Sequence, residues 1–384
     1  MPLISGGEGD VTKVFMTDVW LIDRYVGSTQ WMWGRNYQGG LGDNTTTSRS
    51  SPVQTFGSNT TWKKIVCGQY HTLCLRSDDS MYVFGYNNYG QLGTQNRTNY
   101  SSPVTTNPSG LVYWDIAAGF YQSGVIKTDG SLWMWGYNAD GELGCNDATN
   151  RSSMIQTIGG GSDWVSINCG HYHTAGIKGD GSLWMWGYNN AGQLGDNTRT
   201  NRSSPVQTVS TTKSWVMVAG GGYHTGAVKN DGSLWMWGQN SEGQLGDNTT
   251  SARSSPVQTV ASVKTWKIVA CGANHSGGIK LDGTLWMWGL NDHGQLGDNS
   301  VTSRSSPVQT VSAGNNWKYL ACGYRHTAAV KTDGSIWCWG LNDFGQLGDN
   351  GVTKKSSPVQ TVAGGTAWKQ VSCGYTRTGA VKNG

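Results

Sequence analysis

The residues best suited to chemistry recur at a fixed spacing. His71, His173, His224, His275 and His326 form one series, and Cys67, Cys169, Cys271, Cys322 and Cys373 form another. Imidazoles and thiols in such numbers are what a zinc site or a Cys–His nucleophile would employ. Both uses demand convergence, with ligands about 2 Å from one ion or a base within hydrogen-bond reach of its nucleophile. Within each series the members stand 51 residues or a multiple of 51 apart, so each copy of a repeated unit supplies one. Units arranged in a ring hold such residues apart. Gln122 and Arg377 complete the histidine series, and the expected role is a structural hydrogen bond at the turn after Cys-Gly. The thiols are expected to be reduced and structural, because bridging requires Cα atoms within about 7 Å.

Two further series invite a reading as sites. Arg76, Lys127, Lys178, Lys229, Lys280, Lys331 and Lys382 could offer a polyanion seat. The acidic residue two places on, as in Lys178-Gly-Asp180, balances them, which predicts a solvated hairpin end. Arg49, Arg151, Arg202, Arg253, Arg304 and Lys355 follow an acidic residue by six places in most copies, at Asp43, Asp196, Asp247, Asp298 and Asp349; pairing within one loop is expected. No Gly-x-Ser-x-Gly, phosphate-loop or His-Glu-x-x-His motif occurs. The expectation is a chain that is not an enzyme and carries no cofactor or metal.

What positions these residues is the repeat. The glycine of the Trp-x-Trp-Gly motif falls at Gly34, Gly85, Gly136, Gly187, Gly238, Gly289 and Gly340, always 51 apart. One unit reads as Trp266 to Gly272, His275 to Lys280, an Asp-Gly turn, Leu285 to Gly289, a long Gly/Asn loop, and Ser305 to Thr310. That is four short strands punctuated by turn residues. All tryptophans except Trp20 are assigned to three repeat positions, typified by Trp266, Trp286 and Trp288, and are expected to be core. A ring of blades leaves only short, protected edges. The last copy stops at Lys382-Asn383-Gly384, where the first motif, Gln30 to Gly34, would continue it. The fold class is therefore all-β: a closed seven-bladed β-propeller of four-stranded antiparallel blades, the last shared between the N- and C-termini. The organisation is a leader, residues 1–26, and a single propeller, residues 27–384.

Segments such as Leu320-Ala-Cys-Gly-Tyr-Arg-His-Thr-Ala-Ala-Val330 and Gly294-Gln-Leu-Gly297 resemble the signature of the regulator of chromosome condensation repeat family, over residues from about 28 to 384. The resemblance implies a seven-bladed propeller, in agreement with the count. Among the roles it implies are nucleotide exchange on a small GTPase and inhibition of secreted enzymes. The exchange factor uses a loop insertion and a basic N-terminal tail. Here the 51-residue interval is unbroken, and Met1 to Val26 holds four acidic against two basic residues.

Specificity should lie where the copies differ. Two segments vary most and are rich in aromatics: that after the inner strand, with Tyr70, Phe120, Tyr121, Tyr172, Tyr223, Tyr324 and Tyr375, and that around a fixed Asn in Trp-Gly-x-Asn, with Arg35, Tyr37, Tyr86, Tyr89, Tyr137, Tyr188, His293 and Phe344. Antiparallel strands reverse direction, so both segments emerge on one face of the ring, a candidate partner-binding face. Tyrosine is enriched at such surfaces; the alternative is that these rings only cover loop backbone. In the leader, Phe15, Trp20, Leu21 and Tyr25 are candidate residues of an attachment arm. A net charge of +4 with no basic run argues against a nucleic-acid surface, no apolar stretch is long enough for a membrane span, and no signal peptide is visible. The partners expected are proteins. The leading functional expectation is a structural or adhesive component, similar to propellers of bacteriophage particles and docked by the arm. The alternative is a soluble regulator, either a guanine-nucleotide exchange factor or a protein inhibitor of an enzyme.

Overall fold

A computed structural model describes residues 27–57, 61–106, 113–159, 161–210, 212–260, 264–311 and 314–383. The candidate arm residues Phe15, Trp20, Leu21 and Tyr25 lie outside the described residues. The chain forms twenty-eight strands there, grouped into seven four-stranded antiparallel sheets. In the unit read above the strands are Trp266–Cys271, His275–Lys280, Leu285–Gly289 and Arg304–Gln309. Pro307 falls in the outermost strand, where its missing N–H interrupts no central ladder.

The closing sheet has the order predicted from the termini. Arg377–Lys382 lies between Trp368–Cys373 and Thr29–Gly34, and Arg49–Gln54 forms the outer edge. Thr29 pairs with Lys382 and Gly34 with Arg377, a six-residue antiparallel seam. The segment at the C-terminus therefore fills the second-strand slot.

Between blades the core is made by two of the three tryptophan series. Trp266 and Trp288 are fully buried and meet edge to face at 5.8 Å, and the same pair recurs around the ring. The third series is only half-buried, which corrects the expectation that all three are core. Each of its indoles lies toward the hairpin end, where the lysine series covers it: Lys280 Nζ sits 4.1 Å from the Trp286 ring and 5.2 Å from Trp266. Lys127, Lys178, Lys229, Lys331 and Lys382 sit similarly. The lysines are thus held by indole faces, while the turn aspartate is occupied elsewhere, with Asp180 accepting from the amide and hydroxyl of Ser182. Trp114 is a second correction. It stands one place out of register and is 47% exposed, and Tyr113 fills the core slot.

The histidine series does join blades, though it acts on the neighbouring blade rather than at its own turn. His224 Nε2 lies 2.8 Å from the Ser276 hydroxyl, and that hydroxyl donates to the Gln244 carbonyl at 2.9 Å. A hydroxyl has one proton to give, so the imidazole must be the donor and is neutral with its proton on Nε2. His71, His173, His275 and His326 repeat the arrangement. Gln122 reaches the next blade's Gly170 carbonyl at 3.0 Å, and Arg377 reaches those of Gln69 and Gly68. All seven junctions are latched, and burial drives the five histidines down to about 3 or 4.

Glycine is required where the third strand turns into the long loop. Gly289 has φ +99°, and a Cβ there would stand 2.6 Å from the Asn274 carbonyl. That loop is organised by the fixed asparagine. Asn291, fully buried, accepts from the Leu296 amide and donates to Asp298 and to the carbonyls of Ser300 and Thr302. Arg304 then pairs with Asp298 at 3.1 Å, as expected, with equivalents at Arg49, Arg202 and Arg253. Arg151 finds Asp147 instead, because Cys145 occupies the usual aspartate position.

Candidate partner-binding face

Each variable segment projects from a rigid base: the first from the Cys-Gly end of the inner strand, the second from the asparagine-centred loop. The two meet on one face. Arg35 lies over the rings of Tyr37, Tyr70 and Phe344 at 4.8, 5.3 and 5.2 Å. Tyr70 then contacts Tyr86, Tyr121 and Tyr375. Tyr89 packs between Tyr121 and Tyr137 at 4.8 and 5.1 Å, and Phe120 joins Tyr121 to Tyr172 at 4.7 and 4.9 Å. From Tyr172 the contacts run to Tyr188 and Tyr223, and from Tyr375 to Tyr324, stacked at 4.0 Å. Fourteen of the fifteen expected face residues thus belong to one contact network. The fifteenth, His293, reaches it through Asp292, which pairs with Arg325 at 2.8 Å, and Arg325 lies over Tyr324.

Most of these rings are half-buried, and Tyr37 is exposed. The network is lopsided. It is densest from Tyr70 to Tyr223 and thins where the copies carry Ala273, Asn274 and Leu290. Burial, followed by mutual repulsion of their anions, raises the Tyr121 phenol to about 12, and Tyr86, Tyr137, Tyr172, Tyr223 and Tyr375 are raised as well. The hydroxyls are neutral across the physiological range, able to donate and accept, beside broad apolar rings.

At the ring axis the face opens into a small pocket edged by Cys67, Cys169, Cys271, Cys322 and Cys373, by the glycine that follows the inner strand in all seven blades, and by Phe120, His171, Tyr324 and Tyr375. Burial raises all five thiols, which leaves them protonated and poor nucleophiles. Among the described residues no three His, Cys, Asp or Glu side chains group as metal ligands, and no helix is long and apolar enough to cross a membrane.

Four contributors are not among the face residues expected from the sequence. His171 packs on Phe120 at 4.9 Å and extends the network toward Tyr223; its place in the variable segment was the available signal. Asp292 and Arg325 form a pair between neighbouring blades, which no single copy displays. Glu142 is fully buried beneath the face, and its signal was a departure from Gly-Gln-Leu-Gly.

Comparison with known proteins accords with this architecture. The RCC1-like domain pattern matches residues 141–384, and that of the regulator of chromosome condensation (RCC1) repeat matches residues 30–75, 78–125 and 62–91. The ultraviolet-B receptor UVR8 of Arabidopsis thaliana is 32% identical over 325 residues, covering 82% of this chain and 73% of that protein. RUG3, a mitochondrial RCC1 domain-containing protein of the same plant, is 30% identical over 312 residues, covering 77% and 69%. Prp20p of Saccharomyces cerevisiae, described for its binding to Gsp1p and histones, superposes with a TM-score of 0.84 at 19% identity, over 93% of this chain and 92% of that one. At that identity the likeness is one of fold. With its seven repeats, its shared closing blade and these matches, the chain belongs to the regulator of chromosome condensation (RCC1) repeat family.

Proposed function

We propose that this propeller is a non-enzymatic regulator that acts by holding a protein partner on its tyrosine-rich face. The observation that carries the reading is the single network of rings and arginines collected on one side from six blades, with the seventh joined to it by the Asp292–Arg325 ion pair. A stiff ring that presents large amphipathic side chains already packed against one another loses little side-chain entropy on binding. The similarity to a receptor favours the regulatory reading. The structural or adhesive role in a bacteriophage particle finds no support among these relatives, and it is set aside. Within the regulatory reading the choice lies between an exchange factor for a small GTPase and a protein inhibitor of an enzyme.

The test is replacement of Tyr86, Tyr89, Tyr121 and Tyr324 together by alanine. Partner capture should fall at least tenfold while the circular dichroism spectrum and melting temperature stay near those of the parent. Full capture by a folded variant would overturn the reading. Nucleotide release from candidate small GTPases then separates the two regulatory roles.

A further inference from the structure

We propose that the part of this face between Tyr137 and Tyr172 is a seat for one cationic side chain, a lysine or arginine presented by the protein partner, with Glu142 and Asp140 as its counter-charges. The inference rests on the partner-binding reading above and adds to it the chemistry of the group that is recognised.

It starts from one change among the copies. The position of Glu142 is glutamine in five blades, at Gln91, Gln193, Gln244, Gln295 and Gln346, and glycine at Gly40. In the glutamine copies Oε1 accepts from the amide two residues earlier, as Gln193 does from Ala191 at 3.0 Å and Gln295 from His293 at 2.8 Å. Glu142 keeps that bond, accepting from the Asp140 amide at 2.9 Å. The other end of the group is buried without a partner in four glutamine copies, at Gln91, Gln193, Gln244 and Gln346, as it is in Glu142, so the difference lies in the chemistry of that atom. In the fifth, Gln295 donates from Nε2 to Asp292, the loop residue three places earlier, at 3.1 Å. In the Glu142 copy that residue is Ala139, and an amide that can only donate has become a carboxyl oxygen that can ionise. Glu142 Oε1 is buried and has no hydrogen-bond partner.

The surroundings suit a cation. Glu142 and Asp140 both act on the Tyr137 phenol, Glu142 on that of Tyr172, and Asp140 on that of Tyr223. Asp140 is half-buried and accepts from Asn201 Nδ2 at 2.8 Å. Tyr137 packs on Tyr89 at 5.1 Å and on Tyr172 at 6.2 Å, so aromatic rings line this part of the face. Asp292, elsewhere on the same face, is already neutralised by Arg325. Neither Asp140 nor Glu142 has an ion pair among the described residues. A buried carboxylate without a partner is costly, and an ammonium or guanidinium group entering between aromatic rings would satisfy it while gaining cation–π contact.

The probes are N-acetyl-lysine methylamide, its arginine counterpart and the neutral norleucine counterpart, titrated into the intact chain and followed by the ring resonances of Tyr137 and Tyr172. The lysine and arginine probes should shift these signals saturably and norleucine should not. Glu142→Gln, which installs the residue five blades already carry, should weaken the two cationic probes at least tenfold. Lysine affinity should rise as pH increases from 6 to 9 in the parent and stay flat in the variant. The titratable groups that interact with Glu142 are Asp140, Tyr137 and Tyr172; His171, which packs on Tyr172, is lowered by burial to about 4, beneath that window. Equal binding of norleucine, an unchanged Glu142→Gln variant, or saturation by potassium chloride alone would overturn the proposal. The amine titration reports on this seat alone, and the four-tyrosine variant reports on the face, so the two readings can fail separately.

Discussion

Glu142→Gln also makes a demand on stability that can be worked through from the structure. Burial is the dominant influence on this carboxyl and raises it from 4.5 to about 8, and the backbone bond from Asp140 offsets only part of that. A raised carboxylate is protonated in the folded chain and ionised in the unfolded one between those two values. Its contribution is therefore fully present below about 4.5 and is lost as pH rises through about 8. At about 1.4 kcal/mol per unit, the full shift corresponds to a penalty of roughly 5 kcal/mol above pH 9. Glutamine keeps the acceptor for the Asp140 amide and cannot ionise. Its Nε2 would be left unpaired, as it is in Gln91, Gln193, Gln244 and Gln346, which costs about 1 kcal/mol or more. The net expectation is a variant about 2–4 kcal/mol more stable than the parent at pH 9 and no more stable at pH 4.5. Urea unfolding at pH 4.5, 7 and 9, read by tryptophan fluorescence, measures the difference. A stability change that is the same at all three pH values would refute the reasoning. The result would also give meaning to the retention of Glu142, since a residue that costs stability is commonly kept for function.

Three further outcomes are expected. His224→Ala removes the donor to Ser276 and leaves a cavity between blades, and should cost about 2–4 kcal/mol in urea unfolding; His224→Gln should recover much of the loss, because Gln122 latches its own junction. The five latch histidines are neutral when folded and depressed well below 6.5, so the stability they contribute is present above pH 6.5 and falls as pH drops toward 4; a melting temperature constant between pH 5 and 7 would contradict this. Gly246→Ala places a Cβ at φ +64° and 2.9 Å from the Trp288 indole nitrogen, and should lower stability by roughly 2 kcal/mol or more, with a matching fall in the urea midpoint.

Much of the architecture can be read from the one-dimensional pattern because a repeat protein encodes its geometry redundantly. The unbroken interval between Gly34 and Gly340 sets the number of blades. The truncated final copy, set against Gln30 to Gly34, dictates how the ring closes. The same redundancy separated shared positions from variable ones, and so pointed to the tyrosine face. It also explains the misplacements. A repeat position says that copies are alike without saying which end of a strand meets solvent, so it does not separate the half-buried Trp286 series from core or reveal that Lys280 lies on indole rings. Trp114 was assigned by residue type where the register places Tyr113.

Composition, periodicity and the two incomplete ends determined by themselves that this chain is a closed ring of seven alike blades with unequal faces. Only the tertiary structure decided how blades are joined and what the variable residues make together. A histidine and the hydroxyl it serves lie 52 residues apart, and Arg377 reaches the carbonyl of Gln69 across 308. The first pair is brought together by the stacking of neighbouring blades and the second by closure of the ring, neither of which a local window contains. The unmatched oxygen of Glu142 belongs with them. The sequence shows glutamate among glutamines, but it takes the packed loop to show that this end of the side chain is buried without a partner there, as it is in four of the glutamine copies.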